Sequence, residues 1–345
     1  MSDAAAIQTN PQLPAVRMSV TLSLRRIMEY GALLTIWIGL LLLFGALSKN
    51  FLSAQNLGSL ANRIPTLAVV SAGMTLVLII GGIDLSVGSM MGFCGALLGL
   101  AMVNWHWPLW AAGILCLVAG LVGGTLNGTI SVAFGIPSFI VTLGMLEAAR
   151  GLAYLVTDSQ TKYIGTAVES VSKPISWLAL SPAFLLALAV IIAGQVVLSF
   201  AVFGRRLVAI GSNEQAARFS GINPQSARIG TFAILGFLSG LGALFYTSRL
   251  GSSDPNAGIG LELSAIAAVV IGGTSLSGGR GSVVNSFFGA LIIATLEAGL
   301  AQVGASEPAK RIITGSVIIV AVVLDSWRHR LAGGVFGSLK RLLSR

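Results

Sequence analysis

Long runs of Val, Leu, Ile, Ala and Gly, broken by short polar stretches, organise this chain. Ten runs are readable, at 30–47, 64–80, 85–103, 109–132, 137–156, 182–203, 229–247, 263–271, 283–303 and 312–324. A membrane-spanning helix takes about 20 apolar residues, so most of these runs reach across a bilayer, and the run at 263–271 is too short to do so alone. Residues 48–63 place Asn50, Gln55, Asn56 and Asn62 among apolar neighbours and are expected at the membrane interface. Trp105, His106, Trp107 and Trp110 read as an aromatic belt at one membrane surface. The expected fold is an all-α integral membrane protein of about ten segments. Its parts are an arm at 1–23, a transmembrane domain at 24–327 and a basic tail at 328–345.

Composition agrees with that reading. The chain of 345 residues is 55% hydrophobic and 10% charged, where a soluble domain is about 25% charged. The net charge of +9 would suit a nucleic acid, but its placement argues otherwise. Arg17, Arg25 and Arg26 near the N-terminus, the tail and the polar stretch 204–228 together hold 12 of the 21 Lys and Arg. Ten crossings put these three regions on one side, and cationic loops favour the cytoplasm. Both termini are therefore expected there, with no nucleic acid as partner. Cys94 and Cys116 lie in apolar runs and read as small buried hydrophobes, and His106 has no second ligand beside it for a metal.

The stretch 204–228 is a basic island, with Arg205, Arg206, Arg218 and Arg228 against one acid, Glu214. Ser212 or Asn213 caps a short helix whose first turn holds Glu214. Ala216 and Ala217 follow, Arg218 stands four residues after Glu214, and Gly221 stops the helix before Ile222.

Two Gly-Gly breaks interrupt apolar runs. The stretch 81–89, GGIDLSVGS, resembles 272–280, GGTSLSGGR, at an offset of 191, which becomes 194 at Gly95 and Gly289. Read as a repeat with a three-residue insert, and separated by five segments, the two copies are expected to be inverted. Gly-broken helices in inverted halves mark transporters, because opened backbone is tolerated at membrane depth only within protein or along a polar cavity. Candidate solute contacts are Gly82, Asp84, Ser86, Gly273, Thr274 and Ser275. Gly-Gly that merely eases helix packing is the plainer alternative. Asp84 is costly in a membrane unless paired or functional, with Arg150 and Arg280 as candidate partners, and Glu147 and Arg150 are spaced to pair on one helix. The spacings Gly95/Gly99, Gly120/Gly124/Gly128 and Gly236/Gly240 fit close helix packing, within one chain or between two.

These residues carry a family resemblance. The stretches 73–89, 213–222 (NEQAARFSGI) and 262–276 (ELSAIAAVVIGGTSL) resemble the permease subunit of bacterial ABC importers for ribose, arabinose, xylose, galactose, inositol and related polyols. The likeness covers roughly 30–324. It implies an inner-membrane homodimer, a periplasmic sugar-binding protein, and a cytoplasmic ATPase that binds ATP and Mg. The island would be the coupling helix, with Asn213, Glu214, Ala216, Ala217, Arg218, Gly221 and Ile222 facing the ATPase. The chain itself carries no Gly-x-x-x-x-Gly-Lys-Ser/Thr loop, so no bound cofactor, metal or catalytic role is expected of it. The solute would be a small neutral sugar or polyol. The rival reading is an ion-coupled secondary transporter with Asp84 as coupling acid. An intramembrane enzyme finds no His cluster or acidic metal pair in the sequence.

Overall fold

The computed structural model describes residues 15–175, 177–178, 180–320 and 322–323, with side chains described from Tyr30 onward. The first 14 residues and the basic tail lie outside this range. The described residues are almost wholly helical. In order they are α1 (Ala15–Leu47), α2 (Ala54–Ile79), α3 (Val87–Val103), α4 (Leu109–Phe134), α5 (Ser138–Thr157), β1 (Lys162–Tyr163), α6 (Thr166–Glu169), α7 (Pro182–Phe200), α8 (Val202–Ser212), α9 (Glu214–Phe219), α10 (Pro224–Leu250), β2 (Ser252–Ser253), α11 (Leu261–Ile271) and α12 (Val283–Gln302). A further helical stretch covers 307–320.

Seven of the helices are long and apolar enough to cross a membrane, α3 and α11 are shorter apolar helices, and 307–320 turns apolar only after Arg311. This is a multi-pass membrane protein, with the ten apolar segments the sequence predicts. One boundary moves. The stretch expected at the interface is largely helix, because Ser53 accepts from the Asn56 amide and starts α2 at Ala54. Gln55, Asn56 and Asn62 occupy the first turns of one long helix, and Asn50 lies in the turn before it.

Helix α2 is the centre of the core and packs on α10, α12, α7 and α11. The Gly spacings serve contacts inside one chain. A Cβ on Gly124 would strike the Phe232 carbonyl and lie 2.9 Å from Gly236, and one on Gly240 would lie 2.7 Å from the Cys116 carbonyl, so α4 and α10 touch backbone to backbone. Gly99 gives the same freedom to α3 against Ser253. Strands β1 and β2 pair antiparallel, Lys162 with Ser253, at the end of the molecule away from α8 and α9.

The repeat is present, but it relates different segments from those the Gly-Gly resemblance suggests. Thr75 of α2 bonds Ser286 of α12, Gly272 lies on Asn285 and Ser286, and Ser264 bonds Glu297. Both α2 and α11 thus run antiparallel to α12 and parallel to each other. Five intervening crossings restore direction; they do not reverse it. The two Gly-Gly ends are alike because each closes a helix in the same way. Gly81 and Gly273 take φ of 79° and 80°, and the next amides, of Gly82 and Thr274, reach back to Val77 and Val269.

The inverted relation instead exchanges α2 with α10, α3 with α11 and α4 with α12. It preserves which helices touch, since α10 packs on α4 as α2 packs on α12. Its sequence trace is Gly81-x-x-Asp84-x-Ser86-x-Gly88 against Gly251-x-x-Asp254-x-Asn256-x-Gly258. Both aspartates accept from the amide two residues on. The two stretches meet where a Cβ on Gly88 or on Gly258 would overlap the other's carbonyl oxygen.

Candidate functional site

The island folds as two helices, and the expected short helix is the second of them. Helix α8 follows α7 after a single extended residue, Ala201. Asn213 then breaks the chain with φ −159° and ψ 101°, and its side chain accepts from the Ala216 amide at 2.9 Å to start α9. Gly221, at φ 79°, ends α9, and the Ile222 amide reaches back to the Ala217 carbonyl. Glu214 anchors the unit. One carboxylate oxygen takes Arg218 at 2.7 Å, and the other takes Arg228, from the first turns of α10, at 2.6 Å. Partial burial works against ionisation of Glu214, but the Arg218 bond and the Arg228 and Arg218 charges outweigh it and hold the carboxyl below its ordinary range.

Two features of α9 differ from expectation. Ala217 is only 4% exposed and faces the chain's own core, so it is not part of the outer surface. The outward face carries Gln215, Ala216, Arg218 and Ser220, and it ends in Phe219, 89% exposed. An aromatic ring in a polar segment was the signal for Phe219. Beside it, Arg218, Gly221, Ile222, Asn223, Pro224 and Gln225 line a shallow open depression.

Helix α8 touches both Gly-Gly breaks. The Gly279 amide donates to the Ile79 carbonyl at 2.8 Å. A Cβ on Gly211 would overlap that carbonyl and stand 2.5 Å from the Gly279 nitrogen. The last turn of α2, the 272–282 loop and α8 therefore meet at one backbone junction, with no side chain between them.

The stretch 81–86 is non-helical backbone tied to its neighbours. The Ile83 amide donates to Ser138 and the Leu85 amide to Thr142, both on α5, at 3.1 Å each. Asp84 is 2% exposed and accepts from the Ser86 amide (2.8 Å) and hydroxyl (2.6 Å), while Asn127 of α4 donates to the Ser86 hydroxyl (2.9 Å) and reaches the second Asp84 oxygen (3.4 Å). The expected arginine partners are engaged elsewhere. Arg150 donates to the carbonyls of Pro255 and Ala257, so α5 serves the backbone of both inverted stretches. Arg280 stands exposed on the loop at the α8 end. Glu147 is also exposed, and no Glu147–Arg150 ion pair forms among the described residues. Ser86, Thr274 and Ser275 are enclosed in protein together with Asp84. The Thr274 hydroxyl has no hydrogen-bond partner among the described residues. Asn127 was the residue sequence reasoning missed here; its one signal was an amide side chain inside an apolar run.

Comparison with known proteins agrees with this architecture. Residues 56–322 match the family described as "Branched-chain amino acid transport system / permease component". A ribose import permease of Bacillus subtilis is 37% identical over 289 residues, 83% of this chain and 89% of that protein. A ribose import permease of Haemophilus influenzae is 35% identical over 292 residues, covering 84% and 90%. A xylose transport system permease of Escherichia coli is 33% identical over 342 residues, covering 81% and 87%. Matched by this family over most of its length, and 33–37% identical to these permeases over more than four-fifths of it, the chain belongs to this family of transport-system permeases.

Proposed function

We propose that the chain is the membrane subunit of an ATP-binding-cassette importer for a neutral sugar or polyol, of the pentose, hexose or inositol class. The reading is supported by similarity, over more than four-fifths of the chain, to permeases named for ribose and xylose. The structural observation that carries it is the α8–α9 unit. It presents an exposed aromatic ring and an arginine outward, and its other side abuts the ends of α2 and the 272–282 loop. Two copies form the pathway, both termini face the cytoplasm of a bacterial inner membrane, and a binding protein delivers the solute from the periplasm. A separate ATPase with bound ATP and Mg seats on α9. Its movement displaces α8, and the shared backbone junction passes that displacement to Ile79 and Gly279. This chain performs no catalysis.

The family description names branched-chain amino acids, so the deciding experiment compares solutes. Vesicles holding the permease, ATPase and binding protein are offered labelled ribose, xylose, inositol and leucine, with ATP or with an ion gradient alone. ATP-driven uptake of one of the polyols is expected. Leucine uptake would replace the substrate, and uptake on a gradient without ATP would replace the mechanism.

A further inference from the structure

Glu147 has no role in the contacts described so far, and its position is unusual. It is the tenth residue of the 20-residue helix α5, so roughly 14 Å of helix lies on either side at a rise of 1.5 Å per residue. A glutamate side chain is too short to reach either interface from there. It is exposed, and it makes no hydrogen bond or ion pair among the described residues. The buried side of α5 is the opposite one, with Thr142, Ala149, Ala153 and Thr157. An acid at bilayer depth faces protein or a water-filled cavity, not hydrocarbon.

The neighbours on its face fit a passage. Gly144 and Gly151 lie three and four residues from Glu147 and share its stripe, with exposed Leu143 and half-buried Arg150 at the same spacing on its flanks. A Cβ built on Gly144 or Gly151 meets nothing within 4 Å. Ile140 and Leu155 bound the stripe at its two ends, both exposed. Exposed mid-span positions on other helices are apolar, large at Leu121 and Val122 on α4 and Ile192 on α7 and small at Ala189 and Ala193 on α7, and none of these is an acid. Only where the surface leaves the lipid does an acid in a membrane span avoid a large penalty.

We propose that this face of α5 lines a water-filled passage between two copies of the chain, in which Glu147 accepts hydrogen bonds from hydroxyl groups of the passing solute. The proposal rests on the importer reading and adds a solute contact to it. A carboxylate offers acceptors only, and a polyol offers many donors. Two copies related by a twofold axis along the passage supply two such carboxylates, one on each wall. The residues enclosed at the breaks, Asp84 and Ser86, then hold the backbone in place, and solute contact falls to α5.

The test combines labelling with uptake in vesicles carrying the complete transporter. Glu147→Cys and the lipid-facing control Ile192→Cys are treated with a cationic, membrane-impermeant methanethiosulfonate; the wild type, whose two cysteines are buried, is the blank. Labelling at position 147 at least tenfold faster than at 192 is expected, and equal rates overturn the proposal. Glu147→Leu is expected to lower ATP-driven uptake at least tenfold while Glu147→Gln, which keeps an acceptor, stays within about threefold of the wild type. Full uptake by Glu147→Leu overturns the solute contact. If wild-type vesicles import no polyol with ATP, the importer reading fails instead, and the labelling ratio still decides whether this face meets water.

Discussion

Replacing Gly211 by Ala sets two effects against each other. Gly211 lies inside α8, where intrinsic helix propensity favours Ala by about 1 kcal/mol. The added Cβ, however, would overlap the Ile79 carbonyl oxygen and lie 2.5 Å from the Gly279 nitrogen and 3.0 Å from the Ile79 carbonyl carbon. These are backbone atoms of two other segments, which cannot rotate away. Overpacking of this kind costs about 1–3 kcal/mol. Parting Gly279 from Ile79 also breaks their 2.8 Å bond, and a buried group left unpaired costs about 1–3 kcal/mol more. The clash outweighs the propensity, and the net loss is about 3 kcal/mol. At roughly 2 °C per kcal/mol for a chain of this size, the midpoint of thermal unfolding in detergent falls by about 6 °C. Gly230→Ala on α10 is the control, since its Cβ would meet only Phe203, at 3.8 Å; its midpoint is unchanged or rises. Uptake by Gly211→Ala falls at least tenfold although the ATPase still co-purifies. A midpoint that rises with Gly211→Ala as it does with Gly230→Ala would refute the argument that α8 is locked to the helix breaks.

Phe219→Ala removes the exposed ring of α9, and a buried aromatic contributes roughly 1.5–3 kcal/mol, so ATPase retained on the purified permease drops about tenfold; unchanged retention places the docking elsewhere. Ala217→Trp, by contrast, pushes α9 off its own core and lowers the yield of folded protein. Asp84→Ala leaves the Ser86 amide and hydroxyl donors unpaired in a buried site, at about 1–3 kcal/mol each, and folded yield collapses; Asp84→Asn keeps an acceptor for the Ser86 amide, and its uptake stays near that of the wild type, whereas a coupling acid would lose all transport. The carboxyl of Glu214 has a folded-state pKa below its unfolded value. Its contribution is therefore complete above the unfolded value, about 4.3, and is lost as pH falls through the folded one. Anisotropy of a fluorophore on Ser220→Cys is flat from about pH 8 to pH 5 and drops below about pH 4, and Glu214→Gln removes that step.

Much of the plan was legible in the sequence for one physical reason: lipid imposes a rule that each residue obeys locally. Ten apolar runs mark ten helices because every backbone group at membrane depth must bond within its own segment. The cap at Asn213, the Glu214–Arg218 spacing and the stop at Gly221 are contacts within one turn or two, so they too read directly from order along the chain. The aspartate was marked as enclosed or functional by its cost alone.

What tertiary structure decided is everything that depends on which segment lies beside which. The two Gly-Gly stretches look like a repeat because a helix terminus has few ways to satisfy its last carbonyls, and two unrelated ends used the same one. The true inverted pair shares only Gly, Asp and Gly at matching positions, since inversion preserves packing around an axis while side chains diverge. Whether Ala217 faces inward or outward is set by how α9 rests on the body. That Asp84 bonds Ser86 and Asn127, with Arg150 turned to two carbonyls instead, is set by how α4 and α5 pack around the break. Local chemistry follows from neighbours in sequence, but partners dozens of residues apart are chosen by the packing of whole helices, and only the assembled fold contains that choice.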